Sequence, residues 1–386
     1  MARGIPALIQ PALLVWARES AGLRLDQAAQ KSHVKPESLR AWEQGESRPT
    51  IVQLRNLGEV YKRPIAVFFL PEPPKGFDAQ REFRRLPGIS VETESPQMRL
   101  ALRIALFRRE TARNLLELMG EPLPMIRSTA HPNEDPETAG KRIRRLLGID
   151  WDKQLEWPGP YVAMNEWRTA IEQQGVLVFQ TGKVDLNEMR GISIPHSPLP
   201  VILLNNADAP HGRIFTLVHE FAHVLLAAGG HQTSPMEGQM LPEDRLLERV
   251  SNRFAAATIM PKEGFLAETE KYPQALEGEN ESLRRLANRI KASPDAILRR
   301  LLTLRRISPE LYRAKRAAWG QQQWFEPPPG EGGPPIQTRV ISAVGRSFAA
   351  LVLEGYHRNA ISSTDVSDSL GIQLRYLDRI AAELTI

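Results

Sequence analysis

The 386-residue sequence contains no cysteine. That absence excludes disulfide frameworks, cysteine-ligated zinc fingers, iron–sulfur clusters and thiol nucleophiles, so any bound metal must be held by His and carboxylate. Long apolar runs are also missing: none approaches the roughly eighteen residues of a membrane span, and the strongest short one is Ile65–Leu70. Residues 1–17 are interrupted by Pro6, Gln10 and Pro11 and lead to no cleavage signature. They do not read as a secretion signal, so a cytoplasmic location without a membrane partner is expected. Excess charge is small, with 50 Lys and Arg against 45 Asp and Glu, a formal net of +5. Residues 1–75 hold 11 against 7 and residues 97–147 hold 10 against 6. Such a bias permits nucleic-acid contact without requiring it, and a solvated basic face accounts for it equally. What is present, 42% apolar and 25% charged residues, suffices to bury a core. The length implies two or three domains.

Proline and glycine divide the chain. Pro71-Glu72-Pro73-Pro74 closes a first block, and the run from Pro327 to Pro335 is a linker that no helix or strand can cross. Between them, Leu100, Ile104, Phe107, Leu115 and Leu118 recur at near-helical spacing over residues 97–118, and residues 138–148 repeat the type. From Tyr161 onward the pattern becomes mixed: a helix through Trp167 and Ile171, strands at Val176–Phe179 and Val201–Leu204, then a helix over about Gly212–Ala228. The expected class is α+β and mostly helical.

The sharpest signal lies on that last helix: His219-Glu220-Phe221-Ala222-His223. Two His at i and i+4 face the same way and can meet at one cation, while the intervening Glu220 can take a proton from water held there, as in metalloproteases. A catalytic site needs a third ligand. Leu246, Leu247, Val250 and Phe254 mark a following helix that has ended by Pro261, with Glu248 and Asn252 one turn apart on it. Glu248 can therefore ligate while Asn252 supports a neighbouring polar group. His231 and Glu237 are the other nearby candidates, in a Gly-, Ser- and Pro-bearing loop. Zn²⁺ is the expected cofactor, with another divalent ion such as Mn²⁺ left open. The alternative is a pair of hydrogen-bonded core histidines. Strand Val201–Leu204 is expected to run beside the site and pair with an extended substrate. Arg213, Arg253 and His231 are candidates to steady an oxyanion.

The first block reads as five short helices around Leu13, Leu14, Ala17, Leu23, Ala28, Ala29, Val34, Leu39, Trp42, Leu54, Leu57 and Val60. A helix ending at Lys31, a turn through Ser32, His33 and Val34, and Pro36 at the next helix start give helix-turn-helix geometry. Gly45 ends that helix and Thr50 caps the following one. The block resembles the repressor-type (Xre-like) helix-turn-helix family, with His33 where a turn Gly is usual. The resemblance implies that Glu37, Ser38 and Arg40 face base edges while Lys31, Gln44 and Arg48 lie near phosphates.

The segments Pro200–Asn205, Arg213–Val218 entering the His219 motif, and Glu248–Ala256 leading to Met260-Pro261 resemble the ImmA/IrrE family of metallopeptidases. Arg81–Gly88 and Ile361–Ile372 belong to the same resemblance, to a long form with a repressor-like head. It implies a zincin-like domain with a small β-sheet, two His and a Glu as ligands, and cleavage of repressor-type helix-turn-helix regulators in stress or mobile-element responses. The expected division is a head at 1–75, a helical link at 76–150, a peptidase at 151–270, a helical helix-turn-helix-like region at 271–325, a linker at 326–335 and a helical unit at 336–386. In the 271–325 region, Arg299, Arg300, Arg305, Arg306 and Arg313 could touch phosphate, or the helices could buttress the peptidase. The terminal stripe Val340, Val344, Phe348, Leu351 and Val352 suits homodimerisation, partner binding or packing on its own chain. The competing functional reading is a DNA-binding regulator whose metal-site domain senses or binds a partner without turnover.

Overall fold

The computed structural model describes residues 6–61, 63, 65–72, 95–231, 242–319 and 333–384. Arg81–Gly88, Glu237 and most of the Pro327–Pro335 run lie outside the described residues. The chain divides into two compact units, one ending at Ile104 and the other beginning at Ala105.

In the first unit, helices α1 (Pro11–Ser20), α2 (Leu25–Lys31), α3 (Pro36–Glu43) and α4 (Ile51–Tyr61) are followed by a short 3-10 turn, Ile65–Phe69, in place of a fifth full helix. The expected apolar set forms the core, joined by Tyr61 and Phe68, with Val34 and Val60 at its margin. His33 adopts φ 56° in the α2–α3 turn, a conformation His enters more readily than most residues. Gly45 follows α3 at φ 77°. Thr50 and Gln53 cap α4 reciprocally, at 2.8 and 3.3 Å. The Arg18 guanidinium donates twice to Glu43, at 2.7 and 2.9 Å, tying α1 to α3, and the hydrogen bond to Glu43 raises the Arg18 pKa against the opposing effect of burial.

Helix α5 (Pro96–Met119) spans the boundary between the units. Its buried positions are Met98, Ala101, Leu102, Ala105, Leu106, Ala112 and Leu115, whereas Phe107 and Leu118 are 46% and 66% exposed. The expected stripe is thus rotated toward smaller residues. Arg109 on the same helix donates to the carbonyls of Leu199 and Pro198, both at 2.9 Å.

The second unit is built on a three-stranded sheet of order β1-β3-β2, with β1 (Leu177–Thr181) parallel and β2 (Gly191–Ile194) antiparallel to β3 (Val201–Asn205). All five β3 residues are buried. This corrects the expectation that Val201–Leu204 would receive a substrate, because β3 is bonded along both edges. Among the described residues, the strand on the β2 side of the sheet with an unpaired edge is β2 itself. Helices α6 (Pro136–Leu147), α7 (Trp151–Glu156), α8 (Pro160–Glu172), α9 (Pro210–Ala228), α10 (Pro242–Ile259) and α11 (Lys262–Thr269) complete this part; α8 packs on β1, α9 on β2 and β3, and α10 on α6 and α9. Helix α6 crosses α10 at Gly140, where an added Cβ would lie 2.7–2.9 Å from Ala257 atoms, backbone included. Gly140→Ala is expected to cost about 1–3 kcal/mol through this overpacking, read as a lowered denaturation midpoint, and an unchanged midpoint would contradict the close crossing.

Helices α12 (Asn280–Ile290) and α13 (Pro294–Thr303) bury Leu283, Leu286, Ile290, Ile297, Leu298 and Leu301 in one core with helices α6 to α11, to which α14 (Pro309–Trp319) adds Trp319. Ser293 caps α13 through the Ala296 N–H at 3.1 Å. The pair therefore packs as a buttress, and Arg300 is not free for phosphate: it is 2% exposed and donates to Glu137 at 2.7 Å and to the Met260 carbonyl at 3.0 Å.

Helices α15 (Ile336–Val344), α16 (Arg346–His357), α17 (Ser363–Leu370) and α18 (Leu377–Leu384) form the terminal part. Val340, Val344, Phe348 and Val352 are buried, and the Phe348 ring meets Phe179 of β1 edge-on at 5.4 Å. This stripe is packed on its own chain. No single described helix is long and apolar enough to cross a membrane.

Candidate metal centre

Helix α9 begins at Pro210, whose missing N–H is harmless at the first helical position, and it buries Leu217, Val218, Phe221, Ala222, Val224 and Leu225. That burial fixes the rotation of the helix, leaving His219 and His223 on the half-buried face. Their Nε2 atoms are 3.2 Å apart. Glu248, supplied by α10, places its two carboxylate oxygens 3.5 Å from His219 Nε2 and 3.1 Å from His223 Nε2. The three side chains offer ligand atoms within 4.8 Å of one another and could hold a metal ion. Two nitrogens bound tetrahedrally at roughly 2.0–2.1 Å would be separated by about 3.3 Å, so the observed spacing fits one ion with little adjustment.

The electrostatics are those of a cation site. Burial opposes charge on His219, but the hydrogen bond to Glu248, the charges of Glu220 and Glu248, and the Asn252 side chain together raise its pKa. Burial likewise works to raise the Glu248 pKa, yet hydrogen bonds and charge from both imidazoles hold it well below the usual carboxylate range. Asn252 also donates to the Glu248 backbone carbonyl at 2.8 Å, one turn back along α10.

Glu220 is 8% exposed and lies on the sheet side of α9, where an added Cβ on Gly191 of β2 would come within 3.3 Å of Glu220 Cγ and would collide with the Thr216 methyl. Glycine thus lets the open-edged strand lie directly against the helix that carries the motif. Sequence reasoning missed β2, a four-residue strand whose Gly and Ser give little strand signal. Of the three oxyanion candidates, Arg213 is buried and donates to Gln180 of β1 at 2.6 Å. His231 stands edge-on to His131 at 4.6 Å, and Arg253 lines a cleft beside the centre.

In the head, Lys31, Glu37, Arg40, Gln44 and Arg48 are exposed and Ser38 is half-buried. Glu37, Arg40 and Gln44 share one face along α3 and its cap.

Comparison with known proteins matches residues 171–302 to the family described as the IrrE N-terminal-like domain, Peptidase_M78, and residues 14–68 to the helix-turn-helix family HTH_3. No curated protein matches. Among solved structures, a Mycobacterium tuberculosis transcriptional regulator aligns with 53% of this chain at 16% identity and a TM-score of 0.33, and the alignment spans 54% of that protein's chain. The matched spans take in α2 and α3 at one end and every member of the His219, His223 and Glu248 cluster at the other, so the chain carries a helix-turn-helix domain and an IrrE N-terminal-like domain of the Peptidase_M78 family.

Proposed function

We propose that the chain is a zinc-dependent endopeptidase in which His219, His223 and Glu248 hold the ion and Glu220 is the general base. The convergence of the three ligand atoms next to Glu220 carries this reading. An ion held by His219, His223 and Glu248 would supply Lewis-acid activation of water and of a scissile carbonyl near neutral pH. Two imidazoles and a carboxylate suit Zn²⁺, and Mn²⁺ also accepts such ligands. Glu220 accepts the proton of the attacking water and passes it to the leaving amine. Asn252 steadies Glu248 and His219. An extended substrate segment adds to the outer edge of β2 through main-chain hydrogen bonds, since one face of that strand packs on the motif helix beside Glu220 and its outer edge pairs with no strand among the described residues.

The resemblance to ImmA/IrrE enzymes favours a repressor-type helix-turn-helix protein as substrate, cleaved in the cytoplasm during a stress or mobile-element response. The head would read DNA through Glu37, Ser38 and Arg40, with Lys31, Gln44 and Arg48 at phosphates, or would dock a protein partner. Purified protein incubated with a repressor-type substrate is expected to cleave it, to stop under chelator and to resume on adding Zn²⁺. His219→Ala is expected to lose nearly all bound metal. Cleavage that persists under chelation would overturn the proposal. The match of residues 14–68 to a helix-turn-helix family favours a second reading, a regulator that binds without turnover, which metal binding with no cleavage of any substrate would select.

A further inference from the structure

A cleft of about 770 Å³ adjoins the metal centre. Phe215, whose ring is stacked with His219 at 6.5 Å, forms part of its wall together with Asn252, and Arg190, directly before β2, lies at its rim. Helix α10, which supplies Glu248, turns Arg249 and Arg253 into the same space. Both are exposed.

The cleft is unevenly neutralised. Its carboxylates are engaged: Asp135 accepts from the Thr138 N–H at 2.9 Å, Glu137 pairs with Arg300 at 2.7 Å, and Asp295 pairs with Arg316 at 3.3 Å. Besides Arg300, two of its guanidiniums are engaged, Arg190 with Asp208 at 3.2 Å and Arg299 with the Tyr312 hydroxyl at 3.2 Å. Arg249 and Arg253 meet no carboxylate among the described residues. Like charges at i and i+4 on a helix repel by a few tenths of a kcal/mol, so the pair contributes nothing to the fold that an Arg–Glu pair would not improve.

We infer that Arg249 and Arg253 receive acidic side chains of a polypeptide lying in the cleft, and so select Asp or Glu on one side of the bond presented to the metal centre. This rests on the peptidase reading for its link to cleavage, but not for binding. The planar guanidinium fork matches a carboxylate with two parallel hydrogen bonds. The apolar surfaces of Phe215, Ala256 and Leu302 in the same cleft suit the neighbouring side chains of a peptide better than the uniformly charged backbone of a nucleic acid. Arg190 at the start of β2 makes the cleft continuous with the strand edge proposed to hold the substrate main chain.

The test uses the full chain and two synthetic peptide mixtures that differ only in one fixed Glu or Gln among random positions. In the zinc-loaded parent, mass spectrometry of the products is expected to show Asp or Glu enriched about fivefold at one position relative to the scissile bond, the effect of an ion pair worth about 1 kcal/mol. The enrichment is expected to vanish in Arg249→Glu/Arg253→Glu and in the milder Arg249→Gln/Arg253→Gln, and to survive in Arg285→Glu on α12. In parallel, fluorescence anisotropy with Glu220→Gln protein is expected to show tighter binding of the Glu mixture than of the Gln mixture. Cleavage without acid preference would overturn the inference and leave the peptidase reading standing. Acid-selective binding that depends on the two arginines, with no cleavage, would do the reverse. Equal binding of both mixtures, or arginine-dependent binding of duplex DNA in their place, would also overturn it.

Discussion

Glu220→Gln is expected to keep the metal content of the parent and to slow cleavage by about 10²- to 10⁴-fold, the usual contribution of a positioned general base. The substitution is nearly isosteric, so the packing of this 8%-exposed side chain against Gly191 is preserved. What changes is chemistry: an amide cannot take the proton from water. Glu248→Gln separates the two roles, because the ligand position should lose metal affinity together with turnover. Metal analysis alongside a cleavage assay distinguishes them. Full activity in Glu220→Gln would remove the general-base assignment, and loss of metal from that variant would make Glu220 a ligand instead.

Arg168→Met is expected to destabilise the second unit by about 3–5 kcal/mol, the cost of leaving a buried charge without its partner. Arg168 on α8 is 5% exposed. Its guanidinium donates to Glu172 Oε1 at 2.8 Å and to the Ser342 carbonyl at 2.6 Å, and also bonds the Val178 carbonyl of β1. The Glu172 side chain is only 4% exposed and would keep just the Ser347 hydroxyl, at 2.8 Å. Urea denaturation is the measurement, and the double variant Arg168→Met/Glu172→Gln should recover part of the loss because the stranded charge is gone. A loss of less than about 1 kcal/mol would show that the pair contributes no more than a surface ion pair does.

These two sites differ in how visible they were beforehand. The facing of His219 and His223 was legible because helical geometry converts fixed spacing into fixed direction, so the convergence of i and i+4 side chains is a local property of the chain, whereas the approach of Glu248 from α10 depends on how the two helices pack. The head was legible for the same reason, since Pro36, Gly45 and Thr50 mark helix ends locally. Strand order was not. Whether Val201–Leu204 lies at an edge or at the centre depends on which segments pair with it from as far away as residue 177, and hydrophobic alternation carries no such information. The same limit hid Arg300, whose burial follows from α6 and the end of α10 closing over it, while its neighbours on α13 read as solvent-facing. On α5 the period was right and its phase was wrong: Ala101, Ala105 and Ala112 are buried while Phe107 is 46% exposed.

The Ser342 carbonyl has a consequence for how the chain would respond to a protease. It accepts hydrogen bonds from Arg168 and from Gln180 of β1, and Gln180 in turn accepts from Arg213 on the motif helix. The terminal helices are thus seated by polar and aromatic contacts of their own, independent of the covalent connection between Trp319 and Gly333. A single nick in that connection would yield two fragments that migrate together under native conditions and part only in denaturant, so an intact elution profile would not certify an intact polypeptide.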